Sequence, residues 1–282
     1  MIKAILLDID GTLTNRDKVI TPRTRDALLR AQEAGTTLVL ASGRPAQGLH
    51  RFAQELDMFT HHGLFCCFNG AKVMDCQSGE VYFNQAITVS QAKRVLEHIK
   101  AFDINPVIDD GGPYMHTSDV FQRIHQPGGD PRWLVVEYEA RNNGYLLQEH
   151  VDLAADISWE PNKIMTVGEP DYLQEHAAEI SAPFEGERSA MFTAPFYYEF
   201  TPKGVDKAAA LGETFAKLGI AVADTAAFGD AENDMTMLGF AGIGVAMGNA
   251  VEVTKAAADM VTDDNDHDGI ATALEKLMPE LF

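Results

Sequence analysis

Short apolar runs alternate with longer amphipathic segments at the beginning of the chain. Residues 2–7 are apolar apart from one lysine and end at polar residues, which predicts a short buried strand. Residues 22–34 have the pattern of a helix, with Thr21 able to cap it and Pro22 suited to its first turn. The stretch "TTLVLAS" at 36–42 predicts the next buried strand.

The same alternation returns towards the end of the chain. The pattern from Tyr197 onwards predicts helix 205–218, strand 220–228, helix 232–239, strand 242–246, helix 250–258, a short strand near Val261 and helix 268–278. Strands that alternate with helices indicate a parallel sheet covered on both faces. Between the two regions, "LFCCFNGAKVMD" and "GEVYF" flank a turn at Gln77–Gly79 and predict a hairpin.

The middle of the chain, residues 85–195, has a different character. Its segments are more amphipathic, and it holds both tryptophans, more than half of the prolines and the loop-like stretches "DDGGPYMHT" and "QPGGDPRW". We expect an inserted α+β domain over 85–195. The segments 1–84 and 196–282 would then form one core, of the α/β class with a Rossmann-like parallel sheet.

Composition narrows the range of partners. The chain has 282 residues and a formal net charge of −20, which repels nucleic-acid backbones and anionic lipid, so neither a nucleic acid nor a membrane is expected as a partner. No apolar run reaches the roughly 18 residues that span a bilayer. Only three cysteines occur, and two of them are adjacent, which favours reduced thiols over a disulfide framework. We therefore expect a soluble cytoplasmic protein.

Polar residues follow three of the predicted strands at the point where each strand ends. Asp8 and Asp10 follow the first strand, Ser42 and Gly43 follow the second, and Asp230 follows strand 220–228 in "AAFGDAENDM". Because ligands of open parallel sheets bind beyond the carboxyl ends of the strands, we expect these clusters to meet at one edge.

These clusters contain several carboxylates and no histidine. The carboxylates belong to Asp8, Asp10, Asp230 and Asp234. An all-oxygen donor set favours Mg²⁺ over zinc, and a cation would offset the repulsion between neighbouring carboxylates. The hydroxyl of Ser42, the N–H groups near Gly43 and the charge of Lys207 suit a phosphate. The combination predicts a phosphoryl-transfer site.

Four ordered stretches of the chain resemble the motifs of the haloacid dehalogenase superfamily. They are "DIDGTL", "ASGR", "KGVDK" and "GDAENDM". The stretches "FNGAKV" and "FAGIGVAMGNAVEVTKAAADMVTDDNDHDGIATAL" are similar to its Cof-type branch of sugar-phosphate and nucleotide-type phosphatases. The resemblance covers roughly 1–84 and 196–282. The segment between them resembles the large α/β cap of that branch in position and length.

The resemblance implies a role for each matching residue. Asp8 would be the nucleophile and a Mg²⁺ ligand, Asp10 the general acid/base that gives its main-chain carbonyl to the metal, and Asp230 the third protein ligand. Asp234 would orient Lys207 or a metal-bound water. Residues implied to bind the substrate or its phosphate are Ile9, Ser42, Gly43, Lys207 and Asn233. Ile9 stands where leucine is commoner, and Ser42 stands where many members have threonine.

The function expected from this resemblance is a Mg²⁺-dependent phosphatase that hydrolyses small phosphorylated metabolites through an aspartyl-phosphate. Sugar phosphates, pyridoxal phosphate and flavin mononucleotide all suit the branch. A phosphomutase would use the same motifs, and release of inorganic phosphate would separate the two. A phosphorylation-switched, non-catalytic binding protein is a third hypothesis. Asp10 argues against it, because a second carboxylate suits rapid hydrolysis of the intermediate.

Several residues near the motifs keep alternative interpretations. Lys203 lies only four residues from Lys207 and competes for its role. Motif register favours Lys207, and Lys203 is then expected as a contact facing the cap. Arg44 is expected either to contact substrate or to form a salt bridge between core and cap. Asn69 is expected in a turn near the site, where its backbone would touch the substrate.

The inserted segment offers three further candidates, Tyr114, His116 and Arg141. They are expected either to face the substrate or to be buried in the cap.

Overall fold

The computed structural model describes residues 2–126, 128–129 and 132–282. The chain divides into two compact units. The first consists of the chain up to Asn84 together with Asp206–Phe282, and the second of Gln85–Val205.

Residues 2–84 form five strands and two helices, with a 3₁₀ turn at Phe68–Gly70. They are β1 (Ala4–Leu7), α1 (Pro22–Glu33), β2 (Thr37–Ala41), α2 (Ala46–Glu55), β3 (Leu64–Cys67), β4 (Lys72–Asp75) and β5 (Val81–Asn84). Thr21 lies at the N-cap position of α1, but the prediction that it caps the helix is wrong. Its hydroxyl instead donates to Asp268 Oδ1 at 2.5 Å.

The second unit is rich in short strands. Its elements are α3 (Val89–Ile99), β6 (Asn105–Asp109), β7 (Tyr114–Thr117), β8 (Arg123–Ile124), β9 (Trp133–Leu134), α4 (Val135–Asn143), β10 (Leu146–Glu149), α5 (Leu153–Asp156), β11 (Ile164–Val167), α6 (Pro170–Ser181), β12 (Arg188–Ala194) and β13 (Tyr197–Pro202).

The first unit resumes with strictly alternating helices and strands. These are α7 (Lys207–Leu218), β14 (Thr225–Gly229), α8 (Met235–Phe240), β15 (Ile243–Ala246), α9 (Glu252–Ala257), β16 (Met260–Val261) and α10 (Gly269–Leu277). Within the part of the chain that the structure describes, no helix is long and apolar enough to span a bilayer.

An eight-stranded sheet forms the centre of the first unit, in the order β16-β15-β14-β1-β2-β3-β4-β5. The first six strands in this order are parallel, and β4 and β5 are antiparallel at one edge. The predicted α/β class with a Rossmann-like parallel core is confirmed, as is the hairpin of β4 and β5. Because the chain moves outward from β1 in opposite directions through β2 and β14, the strand order reverses there, which is where such sheets bind ligands.

The second unit is built on a six-stranded sheet in the order β10-β7-β6-β11-β13-β12. Alternate residues enter two apolar clusters on opposite faces: Ile108, Ile164 and Phe200 on one face, and Val107 and Met165 on the other. The predicted boundary at 195/196 misplaces β13. This strand pairs with β11 and β12, so the second unit extends to Val205.

Candidate active site

Two aspartates directly follow the central strands β1 and β14, at the C-terminal end of each strand. Leu7 is paired with Phe228 in parallel register, so Asp8 and Asp230 emerge side by side. Asp234 joins them from the 3₁₀ turn that follows β14. One carboxylate oxygen from each of Asp8, Asp230 and Asp234 lies within 4.8 Å of the others, which brings together three of the four predicted carboxylates.

Lys207 is the cation nearest to this cluster. It is the first residue of α7, whose N-terminus is capped by the Asp206 carboxylate through Ala209 N at 2.9 Å. Lys207 Nζ donates to Asp8 Oδ1 at 2.9 Å, to Asp234 Oδ1 at 2.7 Å and to the carbonyl of Ala41 at 2.9 Å. Burial lowers the pKa of Lys207, but Asp8 and Asp234 outweigh burial and raise it, so the lysine stays charged.

Asp8 is short of positive charge despite this lysine. Burial raises the pKa of Asp8 to about 7; Lys207 opposes the rise, while the negative charges of Asp234 and Asp230 add to it. An ionised Asp8 at neutral pH is therefore favoured by a further cation nearby. This electrostatic deficit is the structural argument for a metal ion at the cluster.

Asp230 is held close to the loop that follows β1. Burial raises its pKa, and the Thr12 hydroxyl, which donates to Asp230 Oδ1 at 2.8 Å, opposes the rise. Gly11 makes the approach possible. Its φ is +89°, and a Cβ at that position would lie 2.4 Å from Asp230 Oδ2. The glycine of "DIDGTL" is thus required both by backbone conformation and by space.

Asp234 uses both of its oxygens on donors from the protein. Oδ1 accepts from Lys207, and Oδ2 accepts from the backbone N–H groups of Asp230 and Ala231, both at 3.1 Å. Asp234 therefore orients the lysine and the turn. Asp8 and Asp230 are the residues best placed to hold a cation, and their all-oxygen chemistry fits Mg²⁺.

The Asp10 side chain lies apart from the three-carboxylate cluster and is paired with two cations. Arg44 forms two-pronged hydrogen bonds to it at 2.8–3.1 Å, and Lys18 Nζ donates to Asp10 Oδ1 at 2.9 Å. Burial raises the pKa of Asp10, but Arg44 and Lys18 outweigh it and hold the pKa below its usual value. Arg44 thus pairs with Asp10 of the same unit. The sequence had suggested either a substrate contact or a salt bridge to the cap for this arginine.

The predicted phosphate-binding residues lie on neighbouring loops of the first unit. Ser42 is buried after β2, and its Oγ accepts from Arg44 N at 3.3 Å. Asn233 is exposed, with Nδ2 at 3.5 Å from Asn69 Oδ1. Ile9 is fully buried and its carbonyl accepts from Thr14, so its side chain belongs to the core and only its backbone can serve a ligand.

The remaining candidates are in the second unit. Lys203 is exposed, and its carbonyl accepts from Gln85 Nε2 at 2.8 Å. His116 is buried, with Nδ1 at 2.8 Å from His150 Nε2. Arg141 pairs with Glu137 at 2.7 Å, and Tyr114 is exposed.

Two residues of the site were missed in the sequence. Thr12 stands inside the quoted motif, where its hydroxyl could have been noticed as a donor. Lys18 had no distinguishing signal, since its role depends on the loop that returns it to Asp10.

The fold and the site together define a class: a parallel-sheet enzyme core, interrupted by a second unit, with a lysine-bridged carboxylate site at the switch point of its strands. The chain belongs to the haloacid dehalogenase-like hydrolases, whose family description matches residues 5–274.

Individual relatives match over nearly their whole length. The structure of a haloacid dehalogenase-like hydrolase from Bacteroides thetaiotaomicron has 34% sequence identity and a TM-score of 0.89, covering 99% of this chain and 100% of that chain. The chain is 28% identical to the pyridoxal phosphate phosphatase YbhA of Escherichia coli, over 95% of this chain and 96% of YbhA. It is 26% identical to the 5-amino-6-(5-phospho-D-ribitylamino)uracil phosphatase YcsE of Bacillus subtilis, over 97% of this chain and 94% of YcsE.

Proposed function

We propose that the protein is a Mg²⁺-dependent phosphatase that hydrolyses small phosphorylated metabolites through an aspartyl-phosphate. The observation that carries the proposal is Lys207, whose buried ammonium joins Asp8 to Asp234 beside Asp230. Relatives that match almost end to end are named as phosphatases of small phosphomonoesters, which supports the substrate class.

In the first step, a carboxylate oxygen of Asp8 attacks phosphorus while the ester P–O bond breaks. The leaving oxygen takes a proton from Asp10. In the second step, Asp10 accepts a proton from a water molecule that attacks the phosphoaspartate, which releases inorganic phosphate and restores Asp8. Since Arg44 and Lys18 hold Asp10 ionised, this role requires Asp10 to leave these partners and gain a proton before the first step.

The phosphoryl group would be bound by the Ser42 hydroxyl, the Gly43 N–H and the Asn233 amide, with Lys207 balancing its charge. Mg²⁺, held by Asp8, Asp230 and the main-chain carbonyl of Asp10, would supply the positive charge that Asp8 lacks and neutralise charge developing on the phosphoryl oxygens. Asp234 would keep Lys207 in place throughout the cycle.

We also infer that the second unit selects the substrate, as the cap that the sequence resembles would do. The support is that relatives matching nearly end to end are named for activity on different phosphomonoesters. Substituting the exposed Tyr114 should then change the ranking of substrates more than the rate on a small aryl phosphate. His116 is buried against His150, so its substitution should lower the rates on all substrates alike.

The test is a phosphate-release screen with phosphorylated metabolites, using the full chain with Mg²⁺. We expect turnover that excess chelator abolishes, that Mg²⁺ restores and that Asp8→Asn removes for every substrate. Transfer of the phosphoryl group to a sugar hydroxyl without phosphate release would indicate a mutase instead. Full activity in excess chelator, or an active Asp8→Asn variant, would disprove the proposal.

A further inference from the structure

The turn Phe68–Asn69–Gly70 has a backbone conformation that calls for an explanation. All three residues have positive φ, at +52°, +57° and +104°. Asparagine and glycine tolerate this region, but it is unfavourable for a bulky aromatic residue such as Phe68. Such a turn persists only where its surroundings hold it in place, so its contacts show what it supports.

The backbone of the turn fixes the loop that follows β2. Asn69 N donates to the carbonyl of Ser42 at 2.9 Å, and Phe68 N donates to the carbonyl of Arg44 at 3.1 Å. In a trans peptide the C=O and N–H groups point in opposite directions. Because the Ser42 carbonyl points to Asn69, the N–H of Gly43 points away from the turn, as a donor to a bound phosphate must.

Gly70 brings the same turn against the start of α7. A Cβ on Gly70 would lie 2.4 Å from the carbonyl oxygen of Asp206 and 2.7 Å from the backbone nitrogen of Lys207. The turn therefore sets the position of the residue whose ammonium reaches Asp8.

The Asn69 side chain lies between two of the proposed phosphate-binding groups. Its amide packs on Gly43 so closely that a Cβ there would lie 3.2 Å from Asn69 Nδ2. The oxygen of the same amide, Asn69 Oδ1, accepts from Asn233 Nδ2 at 3.5 Å. An accepted hydrogen bond fixes which end of the Asn233 amide faces the turn.

We propose that Asn69 is a positioning residue for phosphate binding, acting through the Gly43 N–H and the Asn233 amide. The inference rests on the proposed phosphatase function and assigns Asn69 no contact with the reacting atoms. Asparagine suits the position for two separable reasons: its backbone tolerates positive φ, and its amide holds Asn233.

The two reasons are separated by two substitutions. Asn69→Gly keeps the freedom to adopt positive φ and removes only the amide, whereas Asn69→Ala removes both. Asp57, at φ +52° in a surface loop, provides the matched control Asp57→Gly.

The experiment measures kcat, KM, competitive inhibition by inorganic phosphate and Tm on the full chain with Mg²⁺. We expect Asn69→Gly to lower kcat/KM and weaken phosphate inhibition by about tenfold each, with Tm near that of the wild type. Asn69→Ala should show the same weakening of phosphate inhibition together with a lower Tm. Asp57→Gly should leave both kinetic quantities unchanged.

A double-mutant cycle tests whether Asn69 acts through Asn233. Asn69→Gly combined with Asn233→Ala should lose less phosphate affinity than the sum of the two single losses, because both remove the same coupled contact. Unchanged phosphate inhibition in Asn69→Gly, or strictly additive losses, would overturn the positioning role.

Turnover by the wild type tests the proposed function independently of the role of Asn69. If the wild type turns over no phosphomonoester, that proposal fails, and calorimetric binding of inorganic phosphate to wild type and Asn69→Gly then decides the role of Asn69. Equal phosphate affinity in both proteins, or none in either, would overturn it.

Discussion

Lys207 and Asp8, 199 positions apart in the sequence, form a buried ion pair with 2.9 Å between Nζ and Oδ1. Only 1% of the lysine side chain is exposed. We therefore expect Lys207 to be needed both for the stability of the fold and for the proposed chemistry.

Replacing Lys207 with methionine should therefore destabilise the fold as well as remove activity. It leaves Asp8 and Asp234 buried without their common cation, and breaking such an arrangement typically costs about 3–5 kcal/mol. Urea unfolding in the presence of chelator measures the loss. Lys276→Met, at an exposed position of α10, is the control and should change stability by less than about 0.5 kcal/mol. Equal effects of the two substitutions would contradict the structural role of the pair.

Gly11→Ala should weaken metal binding, and Gly35→Ala should not. Both glycines have φ close to +90°, so both substitutions carry a backbone cost of about 1–2 kcal/mol. Only at Gly11 would the new Cβ meet a side chain, that of Asp230, whereas nothing lies within 4 Å at Gly35. Calorimetric titration with Mg²⁺ should thus show a raised Kd for Gly11→Ala alone. The same Kd for Mg²⁺ in both variants would contradict the assignment of Asp230 as a metal ligand.

Asp10→Asn should separate the two steps of the proposed reaction. An aryl phosphate has an acidic leaving group that scarcely needs a proton, so we expect a burst of phenol near one equivalent per enzyme and then slow turnover. An alkyl sugar phosphate should give little or no burst. Rapid-quench kinetics, with mass spectrometry to locate phosphate on Asp8, tests both. If turnover of the two substrates falls equally and no phosphoenzyme is detected, Asp10 is not the general acid/base and has only a structural or metal-binding role.

Asp75 should stabilise the hairpin of β4 and β5 in a pH-dependent way. Burial raises its pKa, but the N–H groups of Ser78 and Gln77 and the His62 ring outweigh burial and hold the pKa below its usual value. A depressed native pKa gives stability that is present above the unfolded value of about 3.9 and is lost as the pH falls through the native value.

Asp75→Asn should accordingly cost about 1–3 kcal/mol at pH 7. Its difference from wild type in urea unfolding should shrink below about pH 4. Asp17→Asn, at an exposed position, is the matched control and should show little difference at any pH. A difference for Asp75→Asn that stays constant down to pH 3 would show that the carboxylate charge is not what stabilises the turn.

The cysteines should resist modification in the native protein. Cys66, Cys67 and Cys76 are buried thiols, and burial raises the pKa of Cys66 and of Cys76 to about 12 each. Little thiolate is therefore present at neutral pH, and the thiolate is the reactive form. A chromogenic disulfide reagent should react slowly with native protein and rapidly with three thiols in urea. Rapid native labelling at Cys66 would show that β3 opens readily.

The apolar runs at 2–7 and 36–42 were sufficient to predict β1 and β2, because each run is short, buried on both faces and ended by polar residues. The strand predicted over 220–228 begins only at Thr225, since Val222–Asp224 forms a 3₁₀ turn. Strand β13 was assigned to the wrong unit for a physical reason. Its sequence "YYEFTP" suits either sheet, and only its pairing with β11 and β12 decides between them. The alternation of residues along a strand specifies its faces but not its neighbours.

At the site, motif spacing predicted that the carboxylates and Lys207 meet at one edge, and motif register favoured Lys207 over Lys203. Only Lys207 is buried with Asp8 as a partner. The pairing of Asp10 with Arg44 joins loops 34 residues apart. The motif "ASGR" singled out this arginine, but nothing in the local sequence identified Asp10 as its partner.

The central position of β1 in the sheet has a consequence for folding during translation. One neighbour of β1 is β2, but the other is β14, whose first paired residue, Thr225, follows Ala4 by 221 positions. At ribosomal rates of about 5–20 residues per second, roughly 10–45 s separate their synthesis. During that interval the nascent chain carries an apolar strand with one open edge, a template for mispairing. Because Asp234 emerges later still, the carboxylate site is complete only after the segment that follows β14 has been synthesised.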